Sequence, residues 1–230
     1  MGITIKNKIY LYILLIFSVS THSYAFSNVD MNAGISTSLT YTDNVNLTES
    51  NTESDLVFSV RPSIGVSTEG SRLRTQLNYS VNGLAYEDTS NNNDIYHNLS
   101  SSANAEIVKN SIFLDGFANT RQVLLDQNSN ASSDLISGSQ NTTTTYTYGL
   151  APSWKKKWDN YATSDLRLGY DEVRFGGGSS EQNSKGNNAS FQLVSGPQFN
   201  QYFWDLNYDY NKTTYDGDSP DTTTETAYLT

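Results

Sequence analysis

The chain has 230 residues, with 36% apolar side chains, 14 basic against 24 acidic residues and a formal net charge of −10. That apolar share lies below the ~45–50% of soluble globular domains, so a conventional core is hard to fill. The acidic balance also argues against a nucleic-acid partner, and the absence of cysteine removes disulfide frameworks, thiolate metal sites and cysteine nucleophiles.

At the N-terminus, Lys6 and Lys8 precede the apolar run Ile9 to Phe17, and Ser23-Tyr24-Ala25 offers small residues where a signal peptidase reads. The run is too short for a spanning helix, which needs roughly 17 to 25 apolar residues. Residues 1–25 are therefore expected to be a secretory signal peptide, with the exported product starting at Phe26.

Beyond it, apolar and polar residues alternate. Val29, Met31, Ala33, Ile35, Thr37, Leu39 and Tyr41 interleave with Asp30, Asn32, Gly34, Ser36, Ser38 and Thr40, the period of a strand with two unlike faces. Leu56 to Val66 and Leu73 to Ala85 repeat it. Further strands are expected at His97–Val108, Ser111–Arg121, Thr142–Trp154, Tyr161–Val173, Asn187–Ser195 and Gln201–Asn211, with Thr222–Thr230 opening a tenth. The fifth is ambiguous, because Phe113 and Phe117 lie opposite Ile112, Leu114, Gly116 and Ala118.

Tight turns at 68–71, 109–110, 155–160 and 197–200 alternate with long polar connections at 43–54, 87–96, 123–141, 175–186 and 212–221. Acidic side chains crowd the long connections, where Lys185 and Lys212 are the only basic ones; Arg72, Lys109 and Lys155 to Lys157 mark the turns. Tyr41, Tyr86, Tyr96, Tyr170 and Tyr210 sit beside long connections, and Trp154, Trp158, Tyr161, Phe199 and Tyr202 beside turns, as two interfacial girdles require. Short turns on one side, long loops on the other and amphipathic strands between are the pattern of an antiparallel outer-membrane β-barrel. A soluble sheet capped by aromatics and a β-solenoid are the competing architectures. The first does not usually sort loop lengths by end, and the second needs a fixed-length repeat that is not visible.

The stretch YTDNVNL at Tyr41 to Leu47, then ESDLVFSVRPSIGVSTEGSRLRTQLNYSVNGLAYED from Glu53 to Asp88, then the strand from His97 ending in ANAEIV, resembles the outer-membrane β-barrel family associated with the PEP-CTERM/exosortase protein-sorting system. The resemblance covers most of the chain after residue 25 and is strongest from Val29 to Leu114. It implies a barrel in the Gram-negative outer membrane, encoded alongside exopolysaccharide production. Members are considerably longer, which implies that residues 26–230 are the N-terminal part of a barrel. The strand pattern that runs to Ala227-Tyr228-Leu229-Thr230 agrees.

Catalytic signals are missing. After residue 25 the single histidine is His97, which opens a strand with no second His nearby, so a lone interfacial side chain is expected rather than a ligand or base. No serine stands in a G-x-S-x-G elbow, and Gly176 to Gly178 lead into Ser-Ser-Glu rather than Lys-Ser/Thr at a helix start. Asp126, Asn128 and Asn130 begin like a calcium loop but meet Ala131 at position six and Ser137 at position twelve. Asp216, Asp218 and Asp221 read as solvated carboxylates before a weak calcium site. No catalytic, cofactor-binding or metal-binding residue is therefore expected. Alternation directs Arg61, Arg72, Arg74, Asn78, Glu106, Asp165, Arg167, Asp205 and Asp209 into the barrel interior, among many amides and hydroxyls. Such a wall suits a hydrogen-bonding cargo such as a sugar chain, although any barrel must be polar inside. The expected role is a porin-like or polysaccharide-export component, with outer-membrane lipid, exopolysaccharide and periplasmic export components as partners. The alternative is a non-conducting anchor for surface matrix.

Overall fold

A computed structural model describes residues 29–124, 135–137, 141–177 and 183–230; the expected signal peptide and the Asp126–Asn130 motif lie outside them. The described chain is all-β. Ten strands, β1 (Val29–Thr42), β2 (Asp55–Glu69), β3 (Leu73–Tyr86), β4 (Asp94–Val108), β5 (Ile112–Leu124), β6 (Thr142–Trp158), β7 (Ala162–Phe175), β8 (Ser184–Ser195), β9 (Asp205–Tyr215) and β10 (Thr222–Leu229), follow one another in a single sheet. Every neighbouring pair is antiparallel, and the spatial order equals the chain order. β1 and β10 form the two edges, exposed along nearly their whole length.

The tight connections use residues that tolerate left-handed backbone. Asn110 has φ 56° between β4 and β5, and Asp159 has φ 46° between β6 and β7. Proline explains two interruptions of pairing. The β2–β3 ladder skips Arg61–Pro62 and the β6–β7 ladder skips Ala151–Pro152, whereas both prolines keep their register with the strand on the other side. A ring nitrogen has no hydrogen to give, so each central strand loses pairing on one flank only.

Two expectations are corrected here. The connection between β8 and β9 is not a tight turn: it runs over 196–204, longer than the loop-side connections 87–93 and 216–221, so long and short do not alternate strictly. Strand β9 consequently starts at Asp205 rather than Gln201. The ambiguity of β5 is settled by register. Ile112 pairs with Trp154 and Leu114 with Ala105, which puts the Ile112–Ala118 set on the apolar face and Phe113 and Phe117 on the polar one.

Candidate functional site

Register sorts the sheet into two unlike faces. One row across six strands reads Asn32, Gly65, Asn78, Ser100, Asn119, Thr147; the neighbouring row on the other face reads Met31, Val66, Leu77, Ser101, Ala118, Tyr148. Among the described residues nothing forms a second layer over the apolar face, and Ile35 (72%), Leu39 (65%) and Leu150 (58%) remain open. An open-sided hollow of about 700 Å³ lies over the polar row, bounded from Asn32 on β1 to Thr147 on β6. On a flat sheet these strands would stand about 24 Å apart, so a shared hollow requires the sheet to curl around its polar face. Asparagine, serine and threonine dominate its wall, with Arg121 as the fixed charge.

Toward the long connections the polar face changes character. Val45, Val57, Leu84, Tyr86, Tyr96 and Ile136 form a buried apolar cluster, with Leu135 packed against it. The pairs Val57–Tyr86 and Asn82–Tyr96 place both tyrosines on the polar face, so neither belongs to an interfacial girdle, contrary to the expectation from their position beside long loops. The Tyr86 hydroxyl donates to the Ile136 carbonyl at 2.8 Å, and the Thr42 and Ser137 hydroxyls meet at 3.1 Å. Residues 135–137, which come after β5, thereby reach back to β3 and to the end of β1.

Asp55, 2% exposed, fastens the same end. One carboxylate oxygen accepts the N–H groups of Leu56 at 2.7 Å and of Glu87 and Asp88 at 3.1 Å, and the other accepts the Thr89 N–H at 2.8 Å and the Thr89 hydroxyl. Burial pushes the carboxyl pKa up. The Thr89 hydroxyl and the N–H groups of Asp88, Thr89 and Leu56 outweigh it and hold the group at about 2. Beneath it the Ser59 hydroxyl donates to the Asn82 amide oxygen at 2.9 Å, which satisfies two buried groups.

Toward the turns, charges are tied to one another. Arg72 stands 3.6 Å from Glu106 and donates to the Ile107 carbonyl at 2.8 Å. Lys155 pairs with Asp165 at 3.0 Å; Arg167 pairs with Asp115, which also accepts from Asn104 at 2.8 Å. Arg167 reaches over β6 to do so, where Ala151 leaves room opposite Asp115. Asp205 accepts from Gln192 at 3.0 Å and Asn207 at 2.9 Å. The nine residues expected inside thus share one face: Arg72, Glu106, Asp165, Arg167 and Asp205 are partnered, Asn78 lines the hollow, and Arg61, Arg74 and Asp209 lie opposite Ser36, Asn104 and Ser190.

The apolar face carries two polar features that alternation did not single out. Glu172, 5% exposed, accepts from the Tyr148 and Tyr170 hydroxyls and pairs with Arg174 at 2.6 Å. Its signal was the charged Glu172 and Arg174 continuing the Leu166, Leu168, Tyr170 set. His97 is not alone either: its Nδ1 lies 2.7 Å from the Tyr79 hydroxyl, with the rings stacked at 6.1 Å. Among the described residues no three His, Asp or Glu side chains are grouped to hold a metal ion. Asp216 instead pairs with Lys185 at 3.8 Å, and Asp221 accepts the Tyr215 N–H. Comparison with family models, curated proteins and solved structures finds no match.

Proposed function

We propose that the chain forms the wall of an outer-membrane β-barrel and serves, without catalysis of its own, as a porin-like or polysaccharide-export component of the PEP-CTERM/exopolysaccharide system it resembles. The observation that carries this reading is the pairing of an uncovered apolar face with a polar face of amides, hydroxyls and neutralised ion pairs. Hydrocarbon is a solvent that suits such an apolar face, and a meander of antiparallel strands satisfies its backbone groups within the sheet except along the free edges of β1 and β10, which closure of the wall would pair. All strands but β10 have 11 to 17 residues, against the ~9–11 that a tilted span needs. The loop-side ends therefore stand outside the apolar band, Asp55 among them. A hollow walled by asparagine and serine hydrogen-bonds hydroxyl-rich cargo without trapping it by charge. The residues resembling the family extend this to a longer wall with residues 26–230 at its N-terminal end, preceded by the signal peptide.

The second reading, a non-conducting anchor for surface matrix, is favoured by one feature: the loop-side end of the polar face is filled by the Val57–Tyr86–Ile136 cluster. A deletion strain separates the two. A porin-like exporter predicts polymer retained in the periplasm and ion conductance of the reconstituted protein in planar bilayers; an anchor predicts loosely attached polymer and silent bilayers. Release of the protein from membranes by carbonate or urea as a soluble monomer would overturn both.

A further inference from the structure

The hollow over β1 to β6 differs from the two ends of the polar face in how its side chains are engaged. Toward the loops the Asn82 amide accepts from Ser59, and toward the turns the Asn104 amide donates to Asp115. Between them Asn32, Asn78, Asn98 and Asn119 line the hollow, and none of their amides has a side-chain hydrogen bond among the described residues. Each amide offers two donors and an acceptor to the open space. A sugar hydroxyl, which both donates and accepts, is the complement of such a group.

Charge is distributed in the same way. Arg72, Lys155, Arg167, Arg174 and Lys185 each reach a carboxylate. Arg121, which lines the hollow, and Arg61, two positions before the lining Ser63, reach none among the described residues. Arg121 lies one position past the Leu99–Thr120 pair and opposite Thr145, and Arg61 lies opposite Ser36, so their neighbours on the face are neutral. No carboxylate lines the hollow. Of those around it, Asp115 is held by Arg167 and Asn104, and Asp94 accepts the Ile95 N–H at 2.7 Å. The Asp171 carboxylate lies over Gly186 on β8, and Asp30 stands opposite Ser67, about 20 Å along the strand from the level of Arg61. The two cations are therefore not offset where they stand.

The placement of these groups names the ligand. A guanidinium presents paired N–H donors that match a carboxylate. Arg61 stands on β2 and Arg121 on β5, with Asn78 of β3 and Asn98 of β4 between them. A ligand that uses both charges therefore crosses the open amides, as an extended chain bearing hydroxyls and carboxylates does and a compact anion does not. We propose that the hollow is a binding site for an acidic oligosaccharide, with Arg61 and Arg121 taking the carboxylates of a uronic-acid chain and the four asparagines its hydroxyls. The inference rests on the sugar-cargo reading above and adds to it a charge preference and the residues that set it.

The full chain, refolded in detergent, is titrated calorimetrically with oligogalacturonate, with maltooligosaccharide of equal length as the neutral chain and inorganic phosphate as the compact anion. Heat-modifiability of each variant reports its fold separately. The uronate chain should bind about tenfold or more tighter than either comparison ligand, and the preference should weaken with added salt. Its affinity should fall by about tenfold for each arginine lost in R61Q/R121Q. It should fall less in R61K/R121K, which keeps the charge and loses the paired donors, and stay unchanged in K109Q/K212Q, which loses the same charge elsewhere. Equal affinity for the acidic and neutral chains, equal affinity for phosphate and the uronate chain, or an affinity unaltered in R61Q/R121Q overturns the site, whether or not the protein conducts. Arginine-dependent binding of the uronate chain by a protein whose deletion leaves surface polymer unaltered, and whose bilayers stay silent, overturns the export reading and leaves the site standing.

Discussion

Tyr86 and Ile136 lie fifty residues apart in the chain, yet the hydroxyl of the first donates to the carbonyl of the second at 2.8 Å inside an apolar cluster. The contact ties the segment before β6 to the loop-side end of β3. Tyr86→Phe keeps the ring and removes this bond, at a cost of about 1 kcal/mol. A Cys replacing the buried Ser137 should then react with a thiol reagent about fivefold faster than in the otherwise unchanged protein. An unaltered rate would mean that the cluster holds residues 135–137 without the bond.

Asp55 makes the same end sensitive to acid. Its carboxyl is held at about 2 against the ordinary 3.8, so it is a group whose folded pKa is depressed. Its stabilisation is complete above about pH 4 and is lost as pH falls through 2. Protection of the Glu87, Asp88 and Thr89 amides against exchange, taken relative to the unprotected rate at each pH, should fall across that window, and Asp55→Asn should lack that protection at neutral pH with the acid step removed.

Strand register is tested by neighbouring positions. Leu77 pairs with Val66 on the apolar face, and Asn78 with Gly65 on the polar face. In the membrane, Leu77→Arg and Leu193→Arg should each cost roughly 2–4 kcal/mol and reduce heat-modifiable, assembled protein. Asn78→Arg and Gln192→Arg should assemble normally. Equal assembly within either pair would remove the face assignment of that strand.

Much of this was legible in the sequence, and the losses have physical causes. Period-two alternation located β1 and β3 to within a residue of their observed ends and assigned the nine polar-face residues to one side, because alternation is local. The strand propensity of Tyr202-Phe203-Trp204 suggests an earlier start for β9, while the docking of residues 196–198 against Asn160 and Tyr161, a contact between two turns, keeps that segment out of the sheet. Proximity to a long loop suggests a girdle position for Tyr86 and Tyr96, whereas their pairing with Val57 and Asn82 puts them on the polar face. The pairing of Arg167 with Asp115 across β6 depends on a neighbour two strands away, which no local pattern encodes.

Two glycines on the polar face should respond differently to a methyl group. A Cβ at Gly149 would lie 2.7 Å from the Phe117 ring and 2.8 Å from the Tyr170 carbonyl oxygen, whereas at Gly34 the nearest atom is the Ser63 hydroxyl at 3.4 Å. Gly149→Ala should destabilise by about 1–3 kcal/mol; Gly34→Ala should be neutral or mildly stabilising through the unfolded chain. Urea midpoints of the folded protein in detergent measure both.

Sidedness is tested on intact cells. Under the barrel reading, a membrane-impermeant thiol reagent should label Ser90→Cys, in the β3–β4 connection, and miss Ser71→Cys and Asn110→Cys at the opposite ends of the strands. Equal labelling in sealed cells would remove the proposed orientation.

The two exposed edges obey a rule of parity. With ten consecutive antiparallel strands, β1 leaves the turn side and β10 returns to it, so their free N–H and C=O rows run in opposite directions. If every seam in a closed wall is antiparallel, the number of strands inserted between β10 and β1 must be even, zero included, and an odd insertion would force one parallel seam. Under the barrel reading, with antiparallel seams throughout, the total strand count is therefore even.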